Sequence, residues 1–257
     1  MKLLLKIAYD GTAYCGWQFQ PNVRTVQAEL TRAIREIFGF DCDVTGSSRT
    51  DSGVHARGFC ATVAERGRDS ISCTIPLEKL PRAINARLPE DIAVLEARWV
   101  GSDFHARYGV RSKRYVYRMH IGGERSPFER RYAWHLGTRL EPDYVSRMNA
   151  AAAYFVGKHD FTSFMAQGSR IEDATRTVFS ASVRCSPDAP EVLLFEVEAN
   201  GFLYNMVRIM VGTLVEVAQG SIEPHQITDI MDARDRSRAG RTAPPYGLFL
   251  EEVVYPL

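Results

Sequence analysis

Apolar and polar residues alternate along the chain in patterns that predict strands and helices in turn. Residues 2–10 are rich in β-forming side chains and end at Gly11, which is typical of a strand. Thr25 precedes apolar residues that recur at helical spacing as far as Gly39, so a helix capped by Thr25 is expected there. The same two patterns predict strands over residues 59–65, 92–96, 113–121, 178–184, 192–199 and 248–255, and helices over residues 75–88, 145–156, 204–217 and 224–231.

The predicted elements fall into two blocks, and the break between them lies near Gly109. We therefore expect an N-terminal α/β half over residues 1–109 and a C-terminal α/β half over residues 110–257. Alternating strands and helices pack as layers, with the helices on a sheet. The predicted fold class is α/β (α+β), with two similar halves that share one extended sheet.

The sequence predicts a cytoplasmic protein that does not enter the membrane. The apolar start is interrupted by Lys6 and Asp10 and is shorter than the core of a secretory signal. Residues 202–217 are the most apolar stretch, but they include Arg208 and Glu216 and fall short of the ~20 residues that a membrane span needs. We expect them to form a buried helix. The five cysteines are scattered without a CxxC pair, which indicates reduced thiols rather than disulfides or a zinc site.

Charge gives a local hint of a polyanionic partner. The net charge is only +1, so the overall charge does not indicate that the protein binds nucleic acid. Most of the 32 basic residues are arginine, which grips phosphates and stacks on bases, although genomic base composition explains this share equally well. Residues 111–131 hold seven basic residues against two glutamates, and residues 234–241 hold four arginines against one aspartate. Two such clusters favour a polyanion as partner.

The densest chemical pattern is GSSRTDSGVHARG at residues 46–58. Its three glycines allow tight turns and close approach of a ligand to the backbone. Asp51 is its one carboxylate, and Arg49 lies two residues before it. A nearby cation favours the ionised carboxylate that a nucleophile or a base requires. Local chemistry alone supports an ordinary Asp-Ser-Gly turn equally well.

Other catalytic templates fit the sequence poorly. The chain has no HExxH, GxSxG, P-loop or GxGxxG motif, and it shows no cofactor signature. A metal-dependent hydrolase that uses Asp51, His55 and His159 is an alternative, but the six histidines lack the spacing of metal ligands. His159 and Asp160 are better explained as a cap or a surface contact at a helix end.

Arg208 is embedded in the apolar sequence YNMVRIMVG. A buried, unpaired guanidinium would cost several kcal/mol, so a carboxylate or a phosphate should accompany it. On the residues alone, a core ion pair with Glu216 or Asp173 is favoured over a role with Asp51 or with substrate.

Tyr115 and Tyr117 alternate on a predicted strand that also carries Arg114 and Arg118. Tyrosines on a strand usually pack against neighbouring strands. The basic neighbours leave base stacking as the alternative.

Nine segments, in order, resemble the tRNA pseudouridine synthase A family, and together they cover nearly the whole chain. The RTDxGVHA pattern around Asp51 is highly specific. Ser48 and Ser52 depart from the Gly and Ala that are usual in the family, but both are small. The matching segments are AYDGTAYCGWQ, TVQAEL, SSRTDSGVHARG, INARLPEDI, DFHARY, SKRYVYR, GKHDFTSF, FLYNMVRIMVGTL and AGRTAPPYGLFL.

The resemblance implies a role for particular residues. Asp51 matches the catalytic aspartate, Tyr115 matches the tyrosine that stacks on the target base, and Arg208 matches the arginine that is expected to pair with the aspartate. Whether His105 and Trp17 touch RNA stays open, with bracing of the cleft favoured for His105 and a core position for Trp17. The other predicted substrate-binding residues are Arg49, His55 and Arg107.

The resemblance also implies a fold and a reaction. It implies two α/β halves in one continuous mixed sheet with the active cleft between them, a homodimer, tRNA as partner and no small-molecule cofactor. The usual substrates are uridines 38 to 40 of the anticodon stem-loop. Asp51 would attack the sugar carbon or remove a neighbouring sugar proton, and the sequence does not choose between these. The alternatives are a non-catalytic RNA-binding protein and a related synthase that acts on other RNA positions.

Overall fold

The computed structural model describes residues 1–137, 140–168 and 171–256, and these form two compact units. The first unit comprises Met1–Arg111 together with the chain from Phe249 onward, and the second comprises Ser112–Leu248. The described residues contain ten β-strands, paired both parallel and antiparallel, and five α-helices. The predicted α/β class with mixed sheets is therefore confirmed.

The sheet of the first unit has the strand order β4-β1-β3-β10, and β2 also pairs with β3. β1 is antiparallel to both β3 and β4, whereas β10 runs parallel to β3 with Phe249 opposite His55. β1 is the strand that the sequence predicted from residue 2. The strands are β1 (Lys2–Tyr9), β2 (Cys42–Gly46), β3 (His55–Glu65), β4 (Ile92–Val100) and β10 (Leu248–Val254).

Local signals set both ends of the first helix, α1 (Val26–Phe38). The Thr25 hydroxyl accepts a hydrogen bond from the Ala28 backbone N–H at 3.4 Å, as expected of an N-cap. Gly39 ends the helix with φ of 76°, a left-handed conformation that glycine adopts without strain. The predicted boundaries are confirmed.

The second helix is shorter than the predicted range of residues 75–88. A 3-10 turn at Leu77–Lys79 precedes α2 (Leu80–Asn85). The Asn85 side chain exchanges two hydrogen bonds with the backbone of Val94, at 2.7 and 2.9 Å. Asn85 is the last residue of α2, so the helix ends three residues before the predicted end.

The sheet of the second unit has the order β5-β9-β8-β7, and the two-residue β6 pairs in parallel with β5. The strands predicted over residues 178–184 and 192–199 correspond to β8 and β9, which pair antiparallel. The strands are β5 (Ser112–His120), β6 (Trp134–His135), β7 (Gly157–Asp160), β8 (Thr175–Cys185) and β9 (Val192–Ala199), and the helices are α3 (Tyr144–Ala153), α4 (Met206–Ala218) and α5 (Gln226–Ala233).

α4 is the buried helix that the apolar stretch predicted. Every residue of α4 except Arg208 and Glu216 is buried. Backbone hydrogen bonding satisfies an apolar helix internally, so burial on all sides is favourable for it. Among the described residues, no helix combines the length and the apolar character needed to cross a membrane. All five cysteines are free thiols, as predicted.

Three short strands and one strand start were missed. β2 and β6 lie outside the predicted strands, and His159 and Asp160 of β7 were expected at a helix end. β3 begins at His55, four residues before the predicted start. Gly58 explains the difference, because a Cβ there would lie 2.3 Å from the Glu251 carbonyl oxygen. A small residue with low β propensity is thus required where another strand packs closely.

Candidate active site

Asp51 lies in a tight turn in the loop between β2 and β3. The Val54 N–H donates to the Asp51 carbonyl at 3.1 Å, and Gly53 adopts a φ of 78°. Gly53 N–H and the Ser52 hydroxyl both donate to the Tyr14 carbonyl, at 3.3 and 3.2 Å. The Asp-Ser-Gly turn is real, and it holds a half-buried Asp51 in a fixed position. Both interpretations of this loop from the sequence are therefore compatible.

Tyr9 of β1 and the segment that follows β1 contact this loop at Thr50. The Trp17 N–H donates to the Thr50 carbonyl at 3.1 Å, and the Tyr9 hydroxyl is 2.8 Å from the Thr50 hydroxyl. Gly16, at φ of 84°, leaves no room for a Cβ, which would lie 2.5 Å from the Thr50 carbonyl oxygen. At Gly11 a Cβ would lie 2.0 Å from the Val54 carbonyl oxygen. The sequence indicated Gly11 only as the end of the first strand and gave no role to Gly16, although both belong to the matched segment AYDGTAYCGWQ.

His55 is a buried residue at the end of the loop. It is 1% exposed, and its ring stacks on Phe249 with centroids 4.6 Å apart. Its Nδ1 accepts a hydrogen bond from the Gly11 N–H at 3.0 Å and lies 3.1 Å from Asp10 Oδ1. These contacts favour a role for His55 in positioning the loop rather than in touching a substrate.

Trp17 belongs to the core of the first unit. It is 1% exposed and stacks on Phe59 with ring centroids 4.0 Å apart. Gly46 lies against the same indole ring, since a Cβ there would approach Trp17 Nε1 to 2.6 Å. The core position favoured for Trp17 is confirmed.

Two predicted substrate-binding arginines of the first unit have exposed side chains, Arg49 and Arg107. His105 Nδ1 accepts from the backbone N–H groups of Arg107 and Tyr108, at 3.0 and 3.2 Å. His105 therefore braces the turn that carries Arg107, as the sequence analysis favoured. Exposed guanidinium groups on ordered turns are suited to binding phosphate.

In the second unit, β5 carries Tyr115 and Tyr117 on one face. Tyr115 is 7% exposed, and its ring meets Phe202 edge to face at 5.1 Å. Tyr117 is fully buried, and its hydroxyl donates to the Pro244 carbonyl at 2.7 Å. Tyr117 is therefore a packing residue, whereas Tyr115 keeps a small exposed part.

Arg208 lies in the first turn of α4 and is half-buried. Its Nε donates to the Ala243 carbonyl and its Nη1 to Asn205 Oδ1, both at 2.7 Å. The backbone reciprocates, because the Ala243 N–H donates to the Arg208 carbonyl at 3.0 Å. Asn205 caps the helix in the left-handed conformation, with φ of 60°. These contacts fix the guanidinium plane on a rigid helix end.

The two carboxylates considered as core partners of Arg208 serve backbone groups. Glu216 Oε1 accepts from the Arg241 N–H at 3.3 Å, and Asp173 Oδ1 accepts from the Thr175 N–H at 2.8 Å. The residue type alone predicted that Arg208 needs acceptors. It did not predict that a carbonyl and an amide would supply two of them.

The Tyr117 hydroxyl holds the segment that binds Arg208. Burial raises the pKa of Tyr117 well above its ordinary value, with Tyr246 adding to the rise and the charges of Arg208 and Arg241 opposing it. The phenol therefore remains a hydrogen-bond donor to Pro244, the neighbour of Ala243.

Removing this hydroxyl should destabilise the protein measurably. Tyr117→Phe leaves the partly buried Pro244 carbonyl without that donor, so we expect the free energy of unfolding to fall by about 1–3 kcal/mol. Urea unfolding followed by circular dichroism measures the change. Tyr204→Phe, at an exposed tyrosine, is the matched control and should change it by less than about 0.5 kcal/mol. Equal values for the two variants would contradict the assigned role.

His159 and Asp160 have local roles in β7. His159 Nε2 lies 3.0 Å from the Val156 carbonyl, and Asp160 accepts two hydrogen bonds from Thr162. Arg234 Nε is 3.1 Å from Asp160 Oδ2. In the part of the chain that the structure describes, no three His, Cys, Asp or Glu residues are grouped so that they could hold a metal ion.

Comparison with known proteins gives matches over both units. The profile of the family described as tRNA pseudouridine synthase matches residues 6–109 and 151–256. A protein named tRNA pseudouridine synthase A from Moorella thermoacetica is 46% identical over 255 residues, which is 98% of this chain and 99% of that protein. Proteins of the same name from Thermoanaerobacter sp. (strain X514) and Halalkalibacterium halodurans are 42% and 43% identical over 253 and 245 residues, covering 98% and 95% of this chain and 99% and 89% of theirs.

One solved structure is similar at a low level. The structure titled "Crystal Structure of a Cbf5-Nop10-Gar1 Complex" aligns with a TM-score of 0.34 and 13% identity, over 83% of this chain and 54% of that chain.

Proposed function

The chain belongs to the tRNA pseudouridine synthase family, and we propose that it converts uridines 38 to 40 of the tRNA anticodon stem-loop to pseudouridine with Asp51 as the catalytic group. Membership makes it an isomerase that acts on tRNA. The proposal for Asp51 rests on its position in a tight turn. This turn is fixed by the hydrogen bonds of Ser52 and Gly53 to the Tyr14 carbonyl and of the Val54 N–H to the Asp51 carbonyl. A catalytic carboxylate needs such a fixed position beside its substrate.

The reaction sets the chemical task for the carboxylate. The bond between N1 of uracil and C1′ of ribose breaks, the base turns, and C5 bonds to C1′. The hydrogen on C5 leaves as a proton and N1 gains one, so the atoms balance and no redox cofactor is needed. Asp51 either attacks C1′ or removes a neighbouring sugar proton, and both roles use the ionised carboxylate. The target nucleotide must first leave its stack, which costs a few kcal/mol.

Other residues are assigned by their positions. Tyr115 stacks on the target base through its small exposed part, a contact worth ~1–3 kcal/mol. Arg208 presents a planar guanidinium fixed by two hydrogen bonds, suited to an anionic partner. His55 positions the loop through Gly11. Arg49 and Arg107 bind phosphates through their exposed side chains.

The same proposal includes the oligomeric state, the binding partner and the cellular compartment of the enzyme. The family resemblance supports a homodimer in the cytoplasm that binds tRNA without a small-molecule cofactor. The five free thiols, of which Cys15 and Cys185 are exposed, support a reducing compartment.

Release of tritium from tRNA labelled at C5 of uridine tests the proposed reaction. We expect the protein to release tritium from bulk bacterial tRNA, with and without EDTA, since formation of the new C5–C1′ bond expels that hydrogen. Release should disappear when uridines 38 to 40 are replaced by cytidine. Tight tRNA binding without release would support the non-catalytic alternative, and loss of release in EDTA would support a metal-dependent enzyme. Release that survives the cytidine replacements would assign other target positions.

A further inference from the structure

Phe128 is the most exposed large apolar residue among those that the structure describes, at 87% of its surface. It lies in the irregular segment between β5 and β6. A single exposed apolar residue needs no explanation by itself. The exposure of Phe128 does need an explanation, because the surrounding backbone is hydrogen-bonded and the neighbouring side chains are basic.

The backbone around Phe128 forms a hydrogen-bonded turn, residues 125–133, which we call the Phe128 turn. The Glu129 N–H donates to the Ser126 hydroxyl at 3.2 Å, and the N–H groups of Tyr132 and Ala133 both donate to the Glu129 carbonyl at 2.8 Å. These bonds fix the direction in which the turn presents its side chains.

An ion pair anchors the Phe128 turn to β5. Glu129 Oε2 accepts from Arg118 Nη2 at 2.9 Å, and both side chains are partly buried. Glu129 therefore points inward, while its neighbours Phe128 and Arg130 point into solvent. The aromatic ring is exposed because the turn is held in this orientation, and not because the segment lacks structure.

The exposed charge beside the ring is positive. Arg125, Arg130 and Arg131 are exposed, and Arg118 neutralises Glu129. Among the acidic side chains between β5 and β6, only Glu124 is classed as exposed. An exposed aromatic ring flanked by arginines matches the combination that proteins use to bind unpaired nucleotides, with bases stacked on rings and phosphates held by arginine.

Contacts within the second unit connect the Phe128 turn to the segment that binds Arg208. Arg118, which anchors the turn, packs closely against Gly247, since a Cβ there would lie 2.8 Å from the Arg118 carbonyl oxygen. Tyr117, the neighbour of Arg118 on β5, donates to the Pro244 carbonyl, and the adjacent Ala243 carbonyl accepts from Arg208 Nε. Adjacent residues of β5 therefore hold the Phe128 turn and the segment that binds Arg208.

We propose that the Phe128 turn is an RNA-binding platform, on which Phe128 stacks an unpaired base of the tRNA anticodon arm while Arg125 and Arg130 hold the flanking phosphates. The inference rests on the proposed function, since it assigns a second contact to the same substrate. A duplex does not offer the face of an internal base, so the platform favours the loop over the stem. It acts on affinity and leaves the chemistry at C5 to other residues.

Paired substitutions test the stacking. We expect Phe128→Leu, which keeps apolar bulk but removes the aromatic face, to weaken tRNA binding about 10-fold, and Phe128→Tyr to keep the affinity within about twofold. The rate of tritium release at saturating tRNA should fall by less than about threefold in both. Phe179→Leu makes the same change at a half-exposed phenylalanine on β8 and should alter neither quantity. Filter binding gives the affinity.

The salt dependence of binding tests the phosphate contacts. Arg125→Gln and Arg130→Gln should each weaken binding and lower the slope of log affinity against log salt by about one. Unchanged affinity of Phe128→Leu, or equal losses for Phe128→Leu and Phe128→Tyr, would overturn the platform. So would a Phe128→Leu protein whose oligomeric state changes in size-exclusion chromatography while its tRNA affinity does not. Absence of tritium release by the unmodified protein would instead overturn the proposed function.

Discussion

Asp51→Asn is expected to abolish tritium release from C5-labelled tRNA, with a loss of roughly 10³-fold or more, while tRNA binding persists. The amide can neither form the ester at C1′ nor remove a sugar proton. It is isosteric with the carboxylate, and the backbone bonds of the turn to Val54 and Tyr14 do not involve the Asp51 side chain. The fold of the loop should therefore survive. Single-turnover release with saturating enzyme measures the chemical loss separately from binding.

Two variants make the result specific to Asp51. Asp69→Asn is the same chemical change at an exposed aspartate that contacts Lys2, and it should leave the rate within about twofold. Asp51→Glu keeps the charge but moves the carboxylate by about one methylene, so we expect it to be nearly as slow as Asp51→Asn because catalytic groups need exact placement. Release by Asp51→Asn at the unmodified rate would remove Asp51 from the mechanism and leave the family assignment standing.

The parts of the fold that the sequence predicted are those set by neighbours in the chain. α1 was predicted to the residue because Thr25 and Gly39 carry capping chemistry of their own. α4 was predicted because its apolar residues leave no polar face except at Arg208 and Glu216. The pairing of β10 with β3 joins the end of the chain to residue 55, and no local pattern encodes such a partner.

The short strands were missed for a related reason. β6 has two residues and β7 has four, too few for an alternation of apolar and polar positions to be recognised. β2 ends at Gly46, a residue that is common in turns, but this glycine is required by the Trp17 ring packed against it. Tertiary packing thus decided what the local pattern left ambiguous.

In the candidate site, too, the sequence predicted the local chemistry but not the contacts between distant residues. Residue types indicated that Arg49 favours the ionised carboxylate of Asp51, and that the Arg208 guanidinium needs hydrogen-bond acceptors. They did not show that Thr50 is held by Tyr9, 41 residues away in the chain, or that His55 is buried beneath the loop. The supporting contacts come from the close approach of two glycines, Gly11 and Gly16, to the loop backbone. Such an approach depends on the folded structure and can be tested by adding a single methyl group.

Gly16→Ala is expected to lower the rate of tritium release by about 100-fold, although Gly16 contributes no side chain to the reaction. Its φ of 84° strains an alanine by about 1–2 kcal/mol. The new methyl group would also lie 2.5 Å from the Thr50 carbonyl oxygen, so the backbone beside Asp51 must shift. Displacement of a catalytic group by about 1 Å is enough for a loss of this size. Release at saturating tRNA, measured well below the unfolding temperature, gives the effect on the reaction.

Gly39→Ala separates the displacement from the backbone strain. Gly39 has a similar φ of 76°, but a Cβ there meets no atom within 4 Å. Both variants should therefore lose about 1 kcal/mol or more of unfolding free energy in urea, and only Gly16→Ala should lose its rate. Equal rates for the two variants would show that the loop absorbs the methyl group without moving Asp51. A slow Gly16→Ala protein whose tRNA affinity is unchanged would instead show that the segment after β1 sets the position of the carboxylate.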